Sequence, residues 1–316
     1  METVKLARNA MATRFEFVLH GKNAVALRAA GEEALNEIEA LEARLSLYRP
    51  STEIAHVNAR AAREPVRVTP ETFGLLRRAR QLFEETAGAF DVTIAPLVRC
   101  WGFMGGRGKV PERESLQEAR ACVGMQWVVL NEENYTVSFT RPGVMIDLGA
   151  IGKGYAIEKS VEILRDLGVE SALIHGGTST VHALGSPPDA PSWKVAVAGS
   201  REEAEGGEGY AELSLPVVEL KDEAMSVSAV WGKFFKQAGK TLGHVIDPRT
   251  GEPVSSAMMS VVVLPSATDT DALSTGLLVM GSAGLAVLAR LRPDARALVV
   301  TESESGPVLR GNLTGT

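Results

Sequence analysis

Cysteines and basic clusters are scarce in this chain, and each absence excludes a class of protein. Only Cys100 and Cys122 occur in 316 residues, and their spacing forms neither a CxxC pair nor a zinc site. Two isolated cysteines indicate free thiols in a reducing compartment rather than a disulfide framework. Lys and Arg number 33 against 39 Asp and Glu, which gives a net charge of −6 without any basic run. This balance argues against a protein that grips phosphates of nucleic acid, so we expect no nucleic-acid partner.

The sequence also lacks the apolar segments that target a protein to a membrane or anchor it there. Residues 1–11 mix charged residues with single apolar ones, so no signal-peptide core is visible. The longest uncharged stretch, residues 272–289, barely reaches spanning length and is interrupted by Met280-Gly281-Ser282. We interpret that centre as a turn between two buried helical pieces, and we expect a soluble protein without stable membrane insertion. The localisation expected for the chain as written is cytoplasmic, unless an export signal was trimmed from it.

Composition and hydrophobic spacing predict one compact α+β unit over residues 1–316, and a division into two lobes stays open. With 45% hydrophobic and 23% charged residues, the chain can build a large core. No repeat and no long linker divides it. The patterns predict strands at 14–19, 144–147, 171–174 and 260–264, and helices at 24–45, from 69 onward and at 155–167. The acidic, glycine-rich segment 200–209 is expected to form a solvated loop.

A glycine-rich turn separates the strand predicted at 144–147 from the helix that follows. Its sequence is Asp147-Leu148-Gly149-Ala150-Ile151-Gly152-Lys153-Gly154. Glycines let backbone N–H groups approach a phosphate, and a helix N-terminus adds partial positive charge. The spacing matches neither GxGxxG nor a Walker A loop. Judged from the residues alone, a structural turn and an anion site fit this segment equally well.

A second group of polar residues falls at helical spacing. Asp271 is followed at i+3 and i+4 by Ser274 and Thr275, so a carboxylate and two hydroxyls share one helix face. Mg²⁺ prefers such oxygen ligands and commonly shares its coordination with substrate phosphate. The alternative is an ordinary helix N-terminus capped by Asp269 or Asp271, and the residues taken alone favour the cap.

A third segment combines a histidine with a turn. Val245-Ile246 predicts a strand that runs into the turn Asp247-Pro248-Arg249-Thr250-Gly251. His244 is a candidate general base because imidazole titrates near neutral pH, whereas a single histidine is more often structural or exposed. The aromatic residues Tyr48 and Phe90 lie at element ends, where each is either a core residue or a platform for a planar ligand.

In their order along the chain, these segments resemble the ApbE-like FAD:protein FMN transferases, also called flavin transferases. The resemblance covers most of the chain, and its specificity comes from seven segments in the same order. The segments are Met11-Ala12-Thr13; Leu45-Ser46-Leu47-Tyr48 with Ser51-Thr52-Glu53-Ile54 and Asn58; Gly88-Ala89-Phe90-Asp91-Val92-Thr93 with Pro96-Leu97 and Trp101-Gly102-Phe103; Ile146 to Tyr155; Ile174-His175-Gly176-Gly177; His244 to Gly251; and Asp271-Ala272-Leu273-Ser274-Thr275.

The resemblance implies an α+β, T-fold-like architecture, with β-sheets flanked by helices, that binds FAD and Mg²⁺. The family's reaction moves FMN from FAD to a Thr or Ser hydroxyl of an acceptor flavoprotein and releases AMP. Matched by position, the implied Mg²⁺ ligands are Asp271, Thr275 and the backbone carbonyl of Ala150, with Ser274 as a neighbour. His244 matches a histidine that helps to deprotonate the acceptor hydroxyl, and it is assigned to catalysis together with Asp271. The implied FAD contacts are Met11, Tyr48, Ala89, Phe90, Asp91, Asp147, Lys153 and Val245.

Two positions depart from the family pattern, and two other functions compete with transfer. Ser228-Ala229 replaces Ser-Gly, and Thr178 follows Gly176-Gly177 where Asn or Asp is common, which affects details of the pocket. One competing function is an Mg²⁺-dependent FAD pyrophosphatase, in which water replaces the acceptor and FMN and AMP are released. The other is a non-catalytic FAD-binding carrier or assembly factor. A histidine paired with a metal cluster argues against the carrier, since storage needs neither a base nor a metal.

Overall fold

The computed structural model describes residues 1–106, 108–197, 215–231, 234–237, 240–303 and 306–313. Within these ranges the strands are β1 Glu2–Ala10, β2 Thr13–Gly21, β3 Val66–Arg67, β4 Val128–Asn131, β5 Thr136–Phe139, β6 Ser171–Gly176, β7 Thr180–Leu184, β8 Trp193–Ala196, β9 Val217–Leu220, β10 Glu223–Ala229, β11 Phe234–Gln237, β12 Lys240–Gly243, β13 Met259–Leu264, β14 Arg296–Ser303 and β15 Gly306–Gly311. The helices are α1 Ala24–Leu45, α2 Glu53–Arg60, α3 Pro70–Glu85, α4 Ala95–Cys100, α5 Arg113–Ala121, α6 Gly152–Asp166, α7 Ala267–Met280 and α8 Gly284–Leu291. The loop predicted at 200–209 lies outside the described residues.

The largest element of the fold is an eight-stranded antiparallel sheet with the order β1-β2-β6-β7-β10-β13-β14-β15. Strand β2 shows why these residues form a sheet. Phe15, Phe17 and Leu19 are fully buried, and the residues between them are exposed or half-buried. Phe17 lies opposite Ile174 of β6, so the apolar faces of the two strands coincide. The strand predicted at 14–19 is therefore confirmed.

Helices α1, α6 and α7 cover the face of the sheet that carries these aromatic side chains. Asn23 caps α1 by accepting hydrogen bonds from the backbone N–H groups of Val25 and Ala26. The helix then buries Leu35, Ile38 and Leu41 at helical spacing, and each such side chain contributes about 1.5–3 kcal/mol through burial. The predicted helix at 24–45 is confirmed, as are the mixed α+β class and the start of α3, where Thr69 is the cap.

Two smaller clusters complete the core. On the opposite face of the main sheet, the β8–β9 ribbon packs Val195 and Val218 against Val181 of β7. A satellite cluster consists of Leu97, Trp101, Phe103, Val123 and Ile246. In it, the Trp101 indole donates a 2.8 Å hydrogen bond to the Gly251 carbonyl, which ties α4 to the turn at residues 247–251. This satellite cluster supports the segment that bears His244.

Two predicted strands are wrong, and the backbone contacts explain why. Residues 144–147 do not join a sheet ladder. Instead, the Asn58 side chain bonds both the N–H and the carbonyl of Ile146, and the Asp147 N–H donates to the Val92 carbonyl at 2.7 Å. Side-chain and loop groups thus satisfy this backbone in place of a neighbouring strand. Similarly, Ile246 forms only an isolated bridge with Pro253.

The apolar C-terminal region bends at the expected place. Gly281, at a φ of 63°, ends α7, and a single 3₁₀ turn at Gly281–Ala283 leads into α8. The stretch Ala267–Leu291 is long and apolar enough to cross a membrane by length and composition. Here α7 packs against both α6 and the sheet and buries most of its side chains, as core helices of globular proteins also do. Its composition is therefore weak evidence for a membrane span.

Candidate functional site

The glycine-rich turn leads directly into α6, which begins at Gly152. The Asp147 carboxylate accepts a 2.8 Å hydrogen bond from the Gly149 N–H and thereby fixes the entry to the turn. Burial raises the pKa of Asp147, while the Gly149 N–H and the Lys153 ammonium oppose this rise. Lys153 also donates from Nζ to the Gly149 carbonyl at 3.3 Å. The turn thus places a carboxylate, a lysine and a helix N-terminus together.

Asp271 lies in the second turn of α7, so it is not the helix cap. Ser266 is the cap, and its hydroxyl accepts from the Asp269 N–H. The Asp271 side chain is about 5% exposed, and its Oδ2 accepts a 2.9 Å hydrogen bond from the Gly154 N–H. Lys153 Nζ lies 4.0 Å from Oδ1. The structure therefore joins two segments that are far apart in the sequence, the glycine-rich turn and the Asp271 cluster.

Close packing of α6 on α7 depends on glycine at position 154. A Cβ built on Gly154 would lie 2.2 Å from the Ala267 carbonyl oxygen and 2.6 Å from Asp271 Cβ. Such distances are far inside nonbonded contact, so no larger residue fits without separating the helices. Gly154 thus serves both the hydrogen bond to Asp271 and the approach of the helix that carries it.

Several hydroxyl groups lie close to the face of α7 that carries Asp271. Ser228 of β10 lies with its Oγ 2.8 Å from Ser274 Oγ and 3.2 Å from Thr275 Oγ1. Both α7 hydroxyls also donate to the Asp271 carbonyl, at 2.9 Å from Ser274 and 3.4 Å from Thr275. On the other side of Asp271, Thr180 Oγ1 lies 3.4 Å from Oδ1. Asp271 is thus surrounded by oxygen and amide groups, with one ammonium at the limit of ion pairing.

The oxygen atoms around Asp271 are of the kind that bind a hard cation. Burying a carboxylate is costly unless positive charge or strong donors compensate, and Lys153 is held 4.0 Å from it. The contacts of Oδ1 with the Thr180 hydroxyl, at 3.4 Å, and with Lys153 Nζ, at 4.0 Å, are both long, and the Thr275 hydroxyl lies one helical turn away on the same face. In the described part of the chain, no three His, Cys, Asp or Glu side chains form a metal cluster. One carboxylate with hydroxyl and carbonyl oxygens suits Mg²⁺ that takes its other ligands from substrate phosphates and water.

The implied FAD contacts occupy two kinds of environment. Tyr48 is 65% exposed, and desolvation of its hydroxyl followed by the charge of nearby Asp147 raises its pKa. Met11 is half-buried at the β1–β2 turn, with a φ of 51°. Ala89 and Phe90 are about 1% exposed, so the Phe90 ring is a core side chain rather than an open stacking platform. Contact of FAD with these residues stays a prediction.

Asp91 is a buried carboxylate beside this group. Its Oδ1 accepts 2.7 Å hydrogen bonds from both the N–H and the hydroxyl of Thr93. Burial raises the pKa of Asp91 to about 6, and the two Thr93 hydrogen bonds oppose that rise. Thr93 in turn accepts from the Gly124 N–H, which anchors the segment to the rest of the chain.

His244 is half-buried next to the satellite cluster, with its ring edge-on to Phe103 at a centroid distance of 6.4 Å. Gly243 packs so tightly on the Val230 carbonyl that an added Cβ would lie 2.6 Å from it. Val230 follows Ser228 by two residues, and Ser228 touches Thr275. Strand β10 therefore leads from the α7 hydroxyls to the His244 segment. Val245 packs against the main core, and its carbonyl accepts from the Val254 N–H.

Four residues of this arrangement have contacts that their sequence positions did not indicate. They are Gly154, whose N–H bonds Asp271, and the hydroxyl residues Ser228, Thr180 and Ser226. For the three hydroxyl residues, the sequence signal of a functional role was a polar side chain at a position of β7 or β10 that faces the core. It becomes meaningful only when the strands are known to lie beneath α7.

Taken together, the antiparallel sheet, its helical layer and the buried carboxylate at a helix N-terminus define an α+β protein with a candidate site for phosphate and a divalent cation. The ApbE family model matches residues 11–299. The chain belongs to the ApbE family, which confirms the resemblance noted in the sequence.

Named relatives and solved structures agree with this membership. The FAD:protein FMN transferase of Haemophilus influenzae is 32% identical over 267 residues, which cover 81% of this chain and 75% of that protein. The protein of the same name from Vibrio cholerae is 30% identical and covers 86% and 76%. The crystal structure of the ApbE protein from Thermotoga maritima matches with a TM-score of 0.86 at 27% identity, covering 98% of this chain and 97% of that one. The flavin transferase ApbE from Vibrio cholerae matches with a TM-score of 0.85 at the same identity and coverage.

Proposed function

We propose that this protein is an Mg²⁺-dependent FAD:protein FMN transferase that attaches FMN to a Thr or Ser hydroxyl of an acceptor flavoprotein and releases AMP. The observation that carries the proposal is the buried Asp271, held by the Gly154 N–H at the start of α6 and flanked by Lys153 and hydroxyl groups. Relatives that carry the name FAD:protein FMN transferase support the same activity.

The reaction is a phosphoryl-type transfer that balances without an oxidant or reductant. The acceptor oxygen forms a bond to the phosphorus on the FMN side of the FAD pyrophosphate. The bond from that phosphorus to the bridging oxygen breaks, and AMP leaves with the bridging oxygen. The acceptor hydroxyl loses its proton in the process. Positioning and compensation of negative charge are therefore the main tasks of the protein.

Residues of this chain can perform both tasks, positioning and compensation of negative charge. Lys153 and the N-terminus of α6 place positive charge next to the pyrophosphate, where charge develops on the leaving oxygen. Asp271 and Thr275, with the Ala150 carbonyl, would hold Mg²⁺, which supplies electrostatic stabilisation of phosphate oxygens when bound. His244 takes the proton of the acceptor hydroxyl at an imidazole nitrogen. The exposed Tyr48 and the largely buried Asp147 beside it orient the flavin nucleotide.

One incubation tests this function against its competitors. The protein is mixed with FAD, Mg²⁺ and a flavoprotein acceptor domain, and AMP is followed by chromatography while the acceptor is inspected for flavin fluorescence on a denaturing gel. AMP matched by a fluorescent acceptor band supports transfer. AMP with free FMN and dark acceptors throughout a panel supports the pyrophosphatase and overturns transfer. FAD that stays bound and intact in the presence of Mg²⁺ overturns both activities and supports a carrier.

A further inference from the structure

Two central strands place hydroxyl groups on the sheet face beneath α7. Ser226 and Ser228 of β10 are two residues apart, so both point to this face, and Thr180 of β7 joins them there. Ser226 is fully buried and Thr180 is about 2% exposed. Buried hydroxyls are costly in an apolar layer unless they are bonded, so their partners indicate what they do. We call Thr180, Ser226 and Ser228 the hydroxyl layer.

The direction of the hydrogen bonds in this layer is set by Asp271. The Thr180 hydroxyl, 3.4 Å from Oδ1, donates to the Asp271 carboxylate oxygen. The Thr180 oxygen is then available to accept from Ser226, whose Oγ lies 3.1 Å away. The chain of donors therefore runs from Ser226 through Thr180 and ends on the carboxylate.

The second serine of β10, Ser228, contacts different residues of α7. Ser228 contacts Thr275 and Ser274 rather than Asp271. Asp271 and Thr275 are four residues apart on a helix, which separates them by about 6 Å along the axis. Ser226 and Ser228 are separated by about 6.8 Å along a strand, so the two spacings nearly match. Thr275 thus has direct hydroxyl support from Ser228 of β10, whereas Asp271 has it from Thr180 of β7, which Ser226 of β10 supports in turn.

We propose that the hydroxyl layer positions Asp271 and Thr275 for a divalent cation, with Thr180 and Ser228 as the positioning residues and Ser226 as the support of Thr180. The inference rests on the proposed function for its metal and extends it to residues without an assigned role. The layer orients the carboxylate and the threonine hydroxyl before the cation arrives, as the outer partners of metal ligands do elsewhere. Loss of such partners typically lowers metal affinity about 10- to 100-fold.

The test measures metal affinity directly and leaves turnover aside. Mn²⁺, which accepts the same oxygen ligands as Mg²⁺, is titrated into the FAD-free protein. The concentration of unbound Mn²⁺ is measured by electron paramagnetic resonance. Thr180→Val and Ser228→Ala are each expected to weaken Mn²⁺ binding about 10- to 100-fold. Thr180→Ser keeps the hydroxyl and is expected to retain most of the affinity. Ser160→Ala and Thr270→Val are matched controls, because their buried hydroxyls bond backbone carbonyls away from the Asp271 side chain.

The outcomes separate this inference from the function on which it rests. Wild-type Mn²⁺ affinity in folded Thr180→Val and Ser228→Ala overturns the positioning role, whatever the transfer assay shows. If Thr180→Val fails to fold, Ser226→Ala decides: a weakened affinity supports the chain of donors, and an unchanged one overturns it. Transfer that recovers in Ser228→Ala at saturating Mg²⁺ also supports positioning, since a merely structural defect does not respond to the metal. Weakened Mn²⁺ binding in an enzyme that never forms AMP refutes the transferase while the positioning role stands.

Discussion

Substituting Gly154 by alanine is the sharpest perturbation that the structure offers. In most helices this change stabilises by up to about 1 kcal/mol, because alanine has the higher helix propensity. Here the new methyl group would lie 2.2 Å from the Ala267 carbonyl oxygen, about 1 Å inside nonbonded contact. Helix α7 must therefore move away from α6. Overpacking of this kind costs about 1–3 kcal/mol, and the propensity gain offsets about 1 kcal/mol of it, so we expect a net loss of up to about 2 kcal/mol in the free energy of unfolding.

The same displacement of α7 also changes the geometry of the candidate site. The Gly154 N–H lies 2.9 Å from Asp271 Oδ2, and a separation of about 1 Å more breaks this hydrogen bond. A misplacement of that size commonly lowers catalytic rate about 100-fold, and we expect a loss of this order in the rate of FMN transfer.

Urea denaturation and a transfer assay at saturating FAD measure the two effects of Gly154→Ala. The matched control is Gly74→Ala in α3, where an added Cβ meets no atom within 4 Å. It is expected to keep full activity and to gain up to about 1 kcal/mol. A Gly154→Ala protein as stable and as active as Gly74→Ala would refute the packing argument.

Three further predictions concern single side chains. His244→Ala should slow transfer about 10²- to 10⁴-fold and leave FAD affinity unchanged by fluorescence titration; an equal loss of binding contradicts its role as base. Phe103→Leu removes the ring that lies edge-on to His244, so its loss of transfer rate should disappear in a His244→Ala background, and additive losses contradict the coupling. The pKa of Asp91, raised to about 6 by burial, makes the folded state bind more protons than the unfolded state between about pH 4 and 6, so stability is lost as pH rises through that window. Asp91→Asn should remove this dependence, so from pH 4 to pH 7 the free energy of unfolding of the variant should rise by about 3 kcal/mol relative to that of the wild type in FAD-free urea denaturation. An unchanged pH profile contradicts the burial argument.

Local features of the fold were predictable because neighbouring residues determine them. The helix at 24–45 follows from the spacing of Leu35, Ile38 and Leu41, and the start of α3 follows from Thr69 and Pro70. The face shared by Asp271 and Thr275 follows from helical geometry once α7 exists. None of these features needs knowledge of the tertiary structure.

Features that depend on distant partners were not predictable. The segment 144–147 has the composition of a strand, yet Asn58 takes the backbone groups of Ile146, 88 residues away. The bond from Gly154 to Asp271 joins positions separated by 117 residues, so the pattern at either position leaves its partner unknown. Thr180 and Ser226 become neighbours only because β7 pairs with β10 in the sheet. The chemistry of the site was thus suggested by motifs, whereas its supporting contacts required the fold.

The measurement that tests the central claim most directly is intact mass spectrometry of an acceptor flavoprotein domain after incubation with FAD and Mg²⁺. Wild-type protein is compared with Asp271→Asn, which keeps the size of the side chain and removes its charge. We predict that the acceptor gains the mass of FMN less one water with the wild type and gains nothing with the variant, although the variant remains folded. Equal labelling by both proteins at limiting Mg²⁺ would contradict the assignment of Asp271 as the charged residue on which transfer depends.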